Sequence, residues 1–326
     1  MMDVNFVVED MFLFKYIGCS TVARTLYKTL KQESDLNLTW ERFRYDADVS
    51  HYHTFGPIAL LNRRLSGGKR ILTAHSTPRV NIGNLALTKA INKRYPDIYR
   101  KFDHIVTISE SCEQEVQEMV PDVPVTRIPN GINRNYFKPS PEKRAAFREM
   151  HGIGEDEQVI LTVAQVSPRK GFYDFMELAS KHQDTRFVWV GGFPYGLASK
   201  DYLKIKWLIQ QRTDNVMFTG FVRDIVEAYC AADIFFMPTF AETFGLAVLE
   251  AQACGLPVVA RSILEFHEVY NDTIRYFSTV ADAEREINDE NSLRTCAAQA
   301  RDASARYDIM DVCSAHIKLY KEIFNT

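Results

Sequence analysis

Short apolar runs alternate with longer amphipathic stretches along the whole chain. The runs have the length of buried parallel strands, and the stretches between them carry apolar residues at helical spacing. The runs that we predict as strands are residues 4–8, 36–43, 49–54, 69–73, 104–109, 159–164, 187–190, 234–237 and 257–260. This alternation runs through the chain twice, which predicts an α/β fold with two doubly wound, Rossmann-like domains.

The amphipathic stretches predict the helices of this fold. Ser20 is the predicted N-cap of a helix over residues 20–31. The last helix, over residues 311–324, should bury one apolar face, made of Cys313, Ile317, Tyr320 and Phe324. The other predicted helices cover residues 58–66, 110–119, 142–150, 172–180, 200–211, 244–254 and 291–305.

Residues 238–260 form the most informative stretch, which reads as loop, helix, turn and buried strand. Gly255 and Pro257 end the helix as a C′ glycine and a trailing proline do. Gly245 at the helix start lets a ligand approach backbone N–H groups, which favour an anion such as phosphate. Glu242 and Glu250 can accept hydrogen bonds from hydroxyls, so the stretch suits a nucleotide sugar. The alternative is an ordinary crossover with two solvated glutamates.

The sequence ETFGLAVLEAQACGLPVVA in this stretch resembles the donor-binding signature of retaining GT-B glycosyltransferases of family four. The resemblance implies two Rossmann-like domains that face a central cleft. It implies that Glu242 lies near the donor hexose and that Glu250 holds the ribose hydroxyls. It also implies that backbone N–H groups at Phe244 and Gly245, with Leu246 beside them, contact the sugar and phosphates.

A cationic loop, residues 165–171, follows a predicted strand of the second domain. Arg169 and Lys170 before a glycine form a good pyrophosphate clamp, although a basic surface loop is the alternative. The family resemblance assigns Lys170 to the donor phosphates. Gln165 stands where the family usually has an arginine, and Arg169 can compensate for the lost charge. The resemblance also implies that Phe221 lies against the nucleotide base.

The first domain contributes two histidines at predicted strand ends, His53 and His75. Ligands of open α/β sheets bind beyond the carboxyl ends of strands, although a strand-end histidine more often satisfies nearby backbone groups. The segments HYHTFGP and AHST resemble the family-four enzymes that build glycolipids. The resemblance implies that His75 contacts the donor sugar near the reacting carbon, with His53 behind it. Gly18, in a reduced glycine turn after the first strand, is a candidate phosphate contact.

The segment PNGIN at residues 129–133 resembles the family's hinge. We therefore predict domains over residues 1–138, on the acceptor side, and 139–308, which bind the nucleotide sugar. The final helix, residues 309–326, should cross back to the first domain.

Residues 62–101 carry ten basic residues and one acidic residue, in a chain of formal net charge −3. Aromatic residues are interleaved with the basic ones, and residues 85–102 predict an amphipathic cationic helix broken near Pro96. Such a face suits an anionic membrane surface. A solvated helix face is the common alternative. We expect no nucleic-acid partner, because no recognition motif accompanies the charge.

Composition is consistent with a globular protein, at 46% hydrophobic and 25% charged residues. No apolar run reaches membrane-spanning length, and residues 1–10 lack a basic n-region. The six cysteines show no metal-binding spacing, which favours reduced thiols. We therefore expect a cytoplasmic protein that is peripheral to the inner face of the cell membrane.

The sequence thus predicts a retaining, metal-independent glycosyltransferase. The expected donor is a UDP-hexose, and the expected acceptor is diacylglycerol or a glycolipid. The candidate catalytic residues are His75, Glu242 and Lys170. Two alternatives stay open: a transferase with a soluble or polysaccharide acceptor, and a UDP-sugar epimerase or nucleotide-sugar binder on the same fold.

Overall fold

The structure is a computed structural model that describes residues 2–9, 18–33, 35–41, 43–80, 92–194 and 196–325. The described residues divide into two compact units. The first contains residues up to 133 together with residues from 307 onward, and the second contains residues 134–306. These divisions lie within a few residues of the limits at 138 and 308 that the sequence suggests.

The first unit is built on a parallel six-stranded sheet with the order β2-β1-β3-β4-β5-β6. Its strands are β1 (Asp3–Val7), β2 (Asn37–Thr39), β3 (Val49–Tyr52), β4 (Lys69–Thr73), β5 (His104–Thr107) and β6 (Val125–Arg127). The order reverses between β1 and β3, so the loops after these strands flank a topological switch point.

Strand β2 is shorter than the predicted strand over residues 36–43. The side chain of Asn5 explains the early end, because its Oδ1 accepts hydrogen bonds from the Thr39 hydroxyl (2.9 Å) and the Glu41 backbone N–H (3.0 Å). A side chain thus replaces the neighbouring strand as the partner of this segment.

The helices of the first unit are α1 (Gly18–Glu33), α2 (Pro57–Leu65), α3 (Tyr95–Tyr99), α4 (Glu110–Met119) and, later in the chain, α13 (Ile309–Phe324). Helix α4 has the predicted bounds, and Ser109 caps it by accepting from the Cys112 N–H. The predicted N-cap at Ser20 is wrong, because Ser20 lies buried inside the first turn of α1.

The final helix α13 completes the apolar core of the first unit. Leu319 and Tyr320 are buried with Phe6 of β1 and Leu26 of α1. Cys313 and Tyr320 of the predicted face are buried, and Ile317 packs against the same core, so these three positions are confirmed. The buried face also includes residues 309, 312, 316, 319 and 323. The prediction is wrong for Phe324, which is 48% exposed.

The aromatic residues of the basic region belong to the core of the first unit. Tyr95, Tyr99 and Phe102 are at most 3% exposed and pack in one cluster beneath β4 and β5. Residue 92 is helical, residues 93–94 form a turn, and α3 begins at Tyr95, so the helical path is interrupted just before Pro96, as predicted. The prediction is wrong for the aromatic residues, which are buried rather than part of a surface face, and residues 85–91 lie outside the described part.

The second unit has a parallel six-stranded sheet with the order β12-β11-β10-β7-β8-β9. Its strands are β7 (Val159–Val163), β8 (Arg186–Val190), β9 (Val216–Gly220), β10 (Ile234–Met237), β11 (Val258–Arg261) and β12 (Arg275–Phe277). The order is that of a dinucleotide-binding domain, and its switch point lies between β7 and β10.

The helices of the second unit are α5 (Pro141–His151), α6 (Phe172–Lys181), α7 (Tyr202–Gln210), α8 (Ile225–Ala231), α9 (Leu246–Ala253), α10 (Leu264–Tyr270), α11 (Val280–Asn288) and α12 (Glu290–Ala303). Gly255 follows α9 with φ +82°, as predicted for a C′ glycine. Among the described residues, no helix has the length and hydrophobicity needed to cross a membrane. The sheets confirm the predicted pair of doubly wound α/β domains.

Candidate active site

Two loops meet at the switch point of the second unit. The loop after β7 contains a short 3₁₀ turn, Pro168–Lys170, and the loop after β10 begins at Pro238. Gly171 has φ +79°, and a Cβ atom there would lie 2.2 Å from the Pro238 carbonyl oxygen. The backbones therefore touch, and this close approach needs a glycine.

Lys170 and Glu242 form an ion pair across these loops. Their side chains are only 11% and 13% exposed. Burial lowers the pKa of Lys170 to about 8, against the opposing effect of the Glu242 carboxylate. Lys170 therefore stays largely protonated at pH 7. The ion pair brings together two of the three predicted catalytic residues, Lys170 and Glu242.

Arg169 helps to fix the second loop. Its guanidinium donates to the carbonyl of Ala241, and its own carbonyl accepts from the Phe240 N–H at 2.8 Å. These bonds place the charge of Arg169 beside the loop that carries Glu242. Its phosphate role stays a prediction.

Arg261 is a residue of this site that the sequence analysis missed. It lies at the end of β11, forms an ion pair with Asp174, and donates to the Pro238 carbonyl at 3.2 Å. Its guanidinium also lies 3.9 Å from the ring centroid of Phe240 and 4.9 Å from that of Phe277. The sequence signal that could have identified Arg261 is the presence of an arginine at the end of an otherwise apolar strand.

Helix α9 starts at Leu246, two residues later than predicted, because Gly245 adopts φ +82° outside the helix. A Cβ atom at Gly245 would lie 2.4 Å from the Phe266 ring, and its carbonyl accepts from the Tyr270 hydroxyl at 2.8 Å. Gly245 has no side chain with which to cap this start, and the N–H groups of a helix start attract anions. Phe244 before it is buried.

Glu250 lies inside α9 and is 8% exposed. Its Oε2 accepts a 2.6 Å hydrogen bond from the Tyr229 hydroxyl. Burial raises the pKa of Glu250 to about 7, although this hydrogen bond opposes the shift. Tyr229, on α8, is a second residue that the sequence analysis missed, because nothing in its local sequence marks it.

Phe221 follows β9 and is 41% exposed. A Cβ atom at Gly192, after β8, would lie 3.1 Å from its ring. Phe221, the Lys170–Glu242 pair and Gly245 thus all lie beyond the carboxyl ends of strands of one sheet.

The first unit places His75 directly after β4. Its Nε2 lies 2.9 Å from Nδ1 of His53, which follows β3. Burial lowers the pKa of His75 to about 3, so the ring is neutral at pH 7. Gly18 is exposed at the start of α1, and no atom of the described residues lies within 4 Å of a Cβ atom there. Its contact with phosphate stays a prediction.

Family models match both units of the chain. Residues 143–290 match the family described as glycosyl transferases group 1, and residues 21–136 match glycosyltransferase family 4. Solved structures agree on the fold. The Anabaena protein HepE in complex with UDP-glucose has a TM-score of 0.81 at 17% identity, covering 99% of this chain and all of that one. Sucrose-phosphate synthase from Thermosynechococcus elongatus has a TM-score of 0.80 at 17% identity, with both chains fully covered.

Two curated relatives are similar in sequence. The alpha-galactosylglucosyldiacylglycerol synthase of Streptococcus pneumoniae (strain ATCC BAA-255 / R6) is 30% identical over 257 residues, which cover 76% of this chain and 69% of the relative. The processive diacylglycerol alpha-glucosyltransferase of Acholeplasma laidlawii is 30% identical over 179 residues, which cover 54% and 53%. The chain belongs to the group 1 glycosyltransferases of glycosyltransferase family 4. It is a glycosyltransferase of GT-B fold, which confirms the predicted family and fold.

Proposed function

We propose that this glycosyltransferase moves a hexose from a UDP-sugar to a hydroxyl of a membrane lipid, with retention of the anomeric configuration. The observation that carries the proposal is the buried Lys170–Glu242 pair beside the uncapped start of α9, at the switch point of the second sheet. It joins cations and N–H groups, which suit a pyrophosphate, to a carboxylate, which suits sugar hydroxyls.

In the proposed reaction the second unit stabilises the leaving group. Charge develops on the UDP oxygen as the bond from the anomeric carbon breaks. Lys170, Arg169 and the N–H groups at Phe244 and Gly245 would meet that charge in fixed positions. The proposal requires no metal, because these groups supply the positive charge.

The acceptor hydroxyl would attack the anomeric carbon on the face from which UDP leaves. One carbon–oxygen bond forms as the other breaks, and the acceptor proton passes to the departing phosphate oxygen. Glu242 is a poor nucleophile because its carboxylate is paired with Lys170. We therefore assign it to hydroxyls of the donor hexose and Glu250 to those of the ribose.

His75 would contact the donor sugar as a neutral hydrogen-bonding group. Its low pKa leaves no proton to give as an imidazolium at pH 7. The proposed role is therefore to orient the sugar. Gly18 and Phe221 keep their predicted contacts, with phosphate and with the nucleotide base.

Diacylglycerol or a monoglycosyl-lipid is the proposed acceptor. The names of the two curated relatives support it, since both act on diacylglycerol lipids by name. The exposed basic residues of the first unit support contact with an anionic membrane surface, which attracts each such charge by about 1 kcal/mol. These residues are Arg64, Arg79, Lys93, Arg94, Arg100 and Lys101.

The test is UDP release from a panel of UDP-sugars, with and without anionic liposomes that contain diacylglycerol or a monoglycosyl-lipid. We expect release that depends on the liposome acceptor and disappears in Glu242→Ala. Glu290→Ala, at a 78% exposed side chain, is the matched control and should behave as the wild type.

Release that is indifferent to lipid would keep the transferase and contradict the lipid acceptor. No release with any UDP- or GDP-sugar would contradict the proposed reaction and favour an epimerase or a nucleotide-sugar binder.

A further inference from the structure

Four histidines lie together in the interior of the first unit. His51 and His53 come from β3 and its end, His75 follows β4, and His316 lies on the final helix α13. Ring centroids are 4.2 Å apart for His51–His53, 5.2 Å for His53–His75 and 5.6 Å for His51–His316. The rings thus connect His75 to a helix that lies more than 240 positions later in the chain.

The hydrogen bonds of His51 and His316 limit what each ring can do. Both nitrogens of His51 are engaged, Nδ1 with the Tyr320 hydroxyl at 2.6 Å and Nε2 with the Thr73 hydroxyl at 2.7 Å. Nδ1 of His316 lies 2.9 Å from the Val312 carbonyl. Because a carbonyl only accepts, His316 carries its proton on Nδ1, and its Nε2 is an acceptor in the neutral ring.

His53 has a different pattern, because its two nitrogens face different surroundings. Nδ1 lies 2.9 Å from Nε2 of His75. Nε2 is buried, and no described atom lies within hydrogen-bond distance of it. A buried polar atom of this kind calls for a partner, which in protein interiors is commonly a water molecule.

His53 also lines a small cavity. Its volume is about 10 Å³, which is just enough for one water molecule. His53, Thr73, Asn130 and His316 supply its polar lining, and apolar residues of α1, β5 and α13 complete it. Most of the lining is apolar, and these four polar residues are the ones that can offer a buried water the partners it needs.

We propose that His53 is a positioning residue for His75, and that a water molecule in this cavity links His53 to His316 of the final helix. The inference rests on the proposed function for the role of His75 at the donor sugar. The water donates to Nε2 of His316 and bonds to Nε2 of His53, while Nδ1 of His53 bonds to Nε2 of His75. This chain fixes the ring plane of His75 and holds it in a single tautomer.

The first test compares two amide substitutions at position 53. An asparagine amide lies near the position of Nδ1 and can keep the bond to His75, whereas a glutamine amide reaches toward Nε2. We expect His53→Asn to keep kcat within about threefold, and His53→Gln and His53→Ala to lose about tenfold or more, because small misplacements of a contact group are costly. The KM for UDP-sugar should change less than twofold in all three.

His104→Asn is the matched control, because His104 is a half-buried histidine of the same unit that bonds to Thr126. It should retain the wild-type kcat. Equal losses in His53→Asn and His53→Ala, or a loss in KM alone, would overturn the positioning role.

The second test does not depend on activity. In protein with ¹⁵N-labelled histidine rings, the ring nitrogen shifts report the tautomer of each histidine. We expect one tautomer for His75 in the wild type, a mixture in His53→Ala, and altered His53 shifts in His316→Leu. His316→Gln, which keeps a polar group near the cavity, should perturb His53 less.

Unchanged His75 shifts in folded His53→Ala, or unchanged His53 shifts in folded His316→Leu, would overturn the inference. If the wild type releases no UDP from any donor, the proposed function fails, while these shifts still decide whether the hydrogen-bonded chain exists.

Discussion

The two units stabilise their buried polar side chains in different ways. The first unit buries histidines that are neutral and bonded to one another and to hydroxyls. The second buries charges that are paired, as in Lys170–Glu242 and Arg261–Asp174. The second unit therefore stabilises its buried polar side chains by pairing charges, and the first unit does so by hydrogen bonds between neutral groups.

The same physical cause gives the two units opposite responses to pH. Burial disfavours the charged form of any group, so it lowers the pKa of His316 to about 4 and raises that of Glu250 to about 7. Acid should therefore destabilise the first unit by forcing protons onto its histidines. In the second unit, acid should stabilise the folded state relative to the unfolded state, because the folded state is the one that holds a proton on Glu250.

The largest expected effect is on catalysis by the charged side. Lys170→Met should lower kcat/KM for the UDP-sugar by about 100-fold or more, because it removes a preorganised cation and leaves Glu242 unpaired. Lys181→Met, at a 39% exposed side chain, is the control and should stay within twofold. Steady-state UDP release measures both, and a Lys170→Met enzyme of near wild-type activity would break the electrostatic half of the comparison.

The next effect is acid destabilisation of the first unit. Each histidine that is neutral when folded but titrates near 6.5 when unfolded lowers the free energy of unfolding by about 1.4 kcal/mol per pH unit below 6.5. For His316 this loss continues down to its pKa of about 4. Urea titrations at pH 7, 6 and 5 measure this loss of unfolding free energy. The readout is hydrogen exchange at residues of the first unit.

His316→Leu should reduce that slope by about 1.4 kcal/mol per pH unit, since one titrating group is removed. His267→Leu, at an exposed position, should leave it unchanged. Equal slopes in the wild type and His316→Leu would show that His316 is not held neutral.

A slope of opposite sign should belong to Glu250. Between pH 4.5 and 7 the folded state keeps a proton that the unfolded state releases, so the free energy of unfolding falls as pH rises. The fall reaches about 3 kcal/mol by pH 7. Glu250→Gln keeps an acceptor for Tyr229 and should remove the fall, whereas the exposed Glu177→Gln should not. Parallel pH curves for the wild type and Glu250→Gln would contradict the sign.

The smallest effect sharpens the comparison at the level of the backbone. Gly245→Ala should cost about 2–3 kcal/mol of unfolding free energy, because it adds a clash with Phe266 to the strain of a positive φ. Gly152→Ala has a positive φ of +63° and no neighbour within 4 Å, so it should cost about 1 kcal/mol. Urea denaturation at pH 7 compares the two, and equal losses would show that contact with Phe266 does not fix the start of α9.

The candidate site residues of the two units differ in how well the sequence predicts them. Glu242, Gly245 and Glu250 lie within nine consecutive residues, so one motif carries them together. The strand-and-helix alternation also predicted both sheets, because buried parallel strands are short apolar runs. Arg261 and Tyr229 were missed, because their roles come from neighbours distant in sequence.

The histidine cluster shows the same limit more strongly. His53 and His75 were marked by their positions at strand ends. His316 was not, because its partners arise only when the final helix packs onto the first sheet. Strand β12, with only three residues, was missed because periodicity needs a longer run, whereas the equally short β2 lies within a longer run that was predicted as a strand.

The place of the final helix also bears on how the protein is made. Tyr320 and Leu319 share a core with Phe6, so the hydrophobic interior of the first unit is incomplete until the final helix has left the ribosome. The second unit is one continuous segment, residues 134–306, and it can fold on the ribosome before that helix is made. The first unit therefore begins to emerge first but completes its core last, and during that interval the final helix does not yet cover its apolar residues.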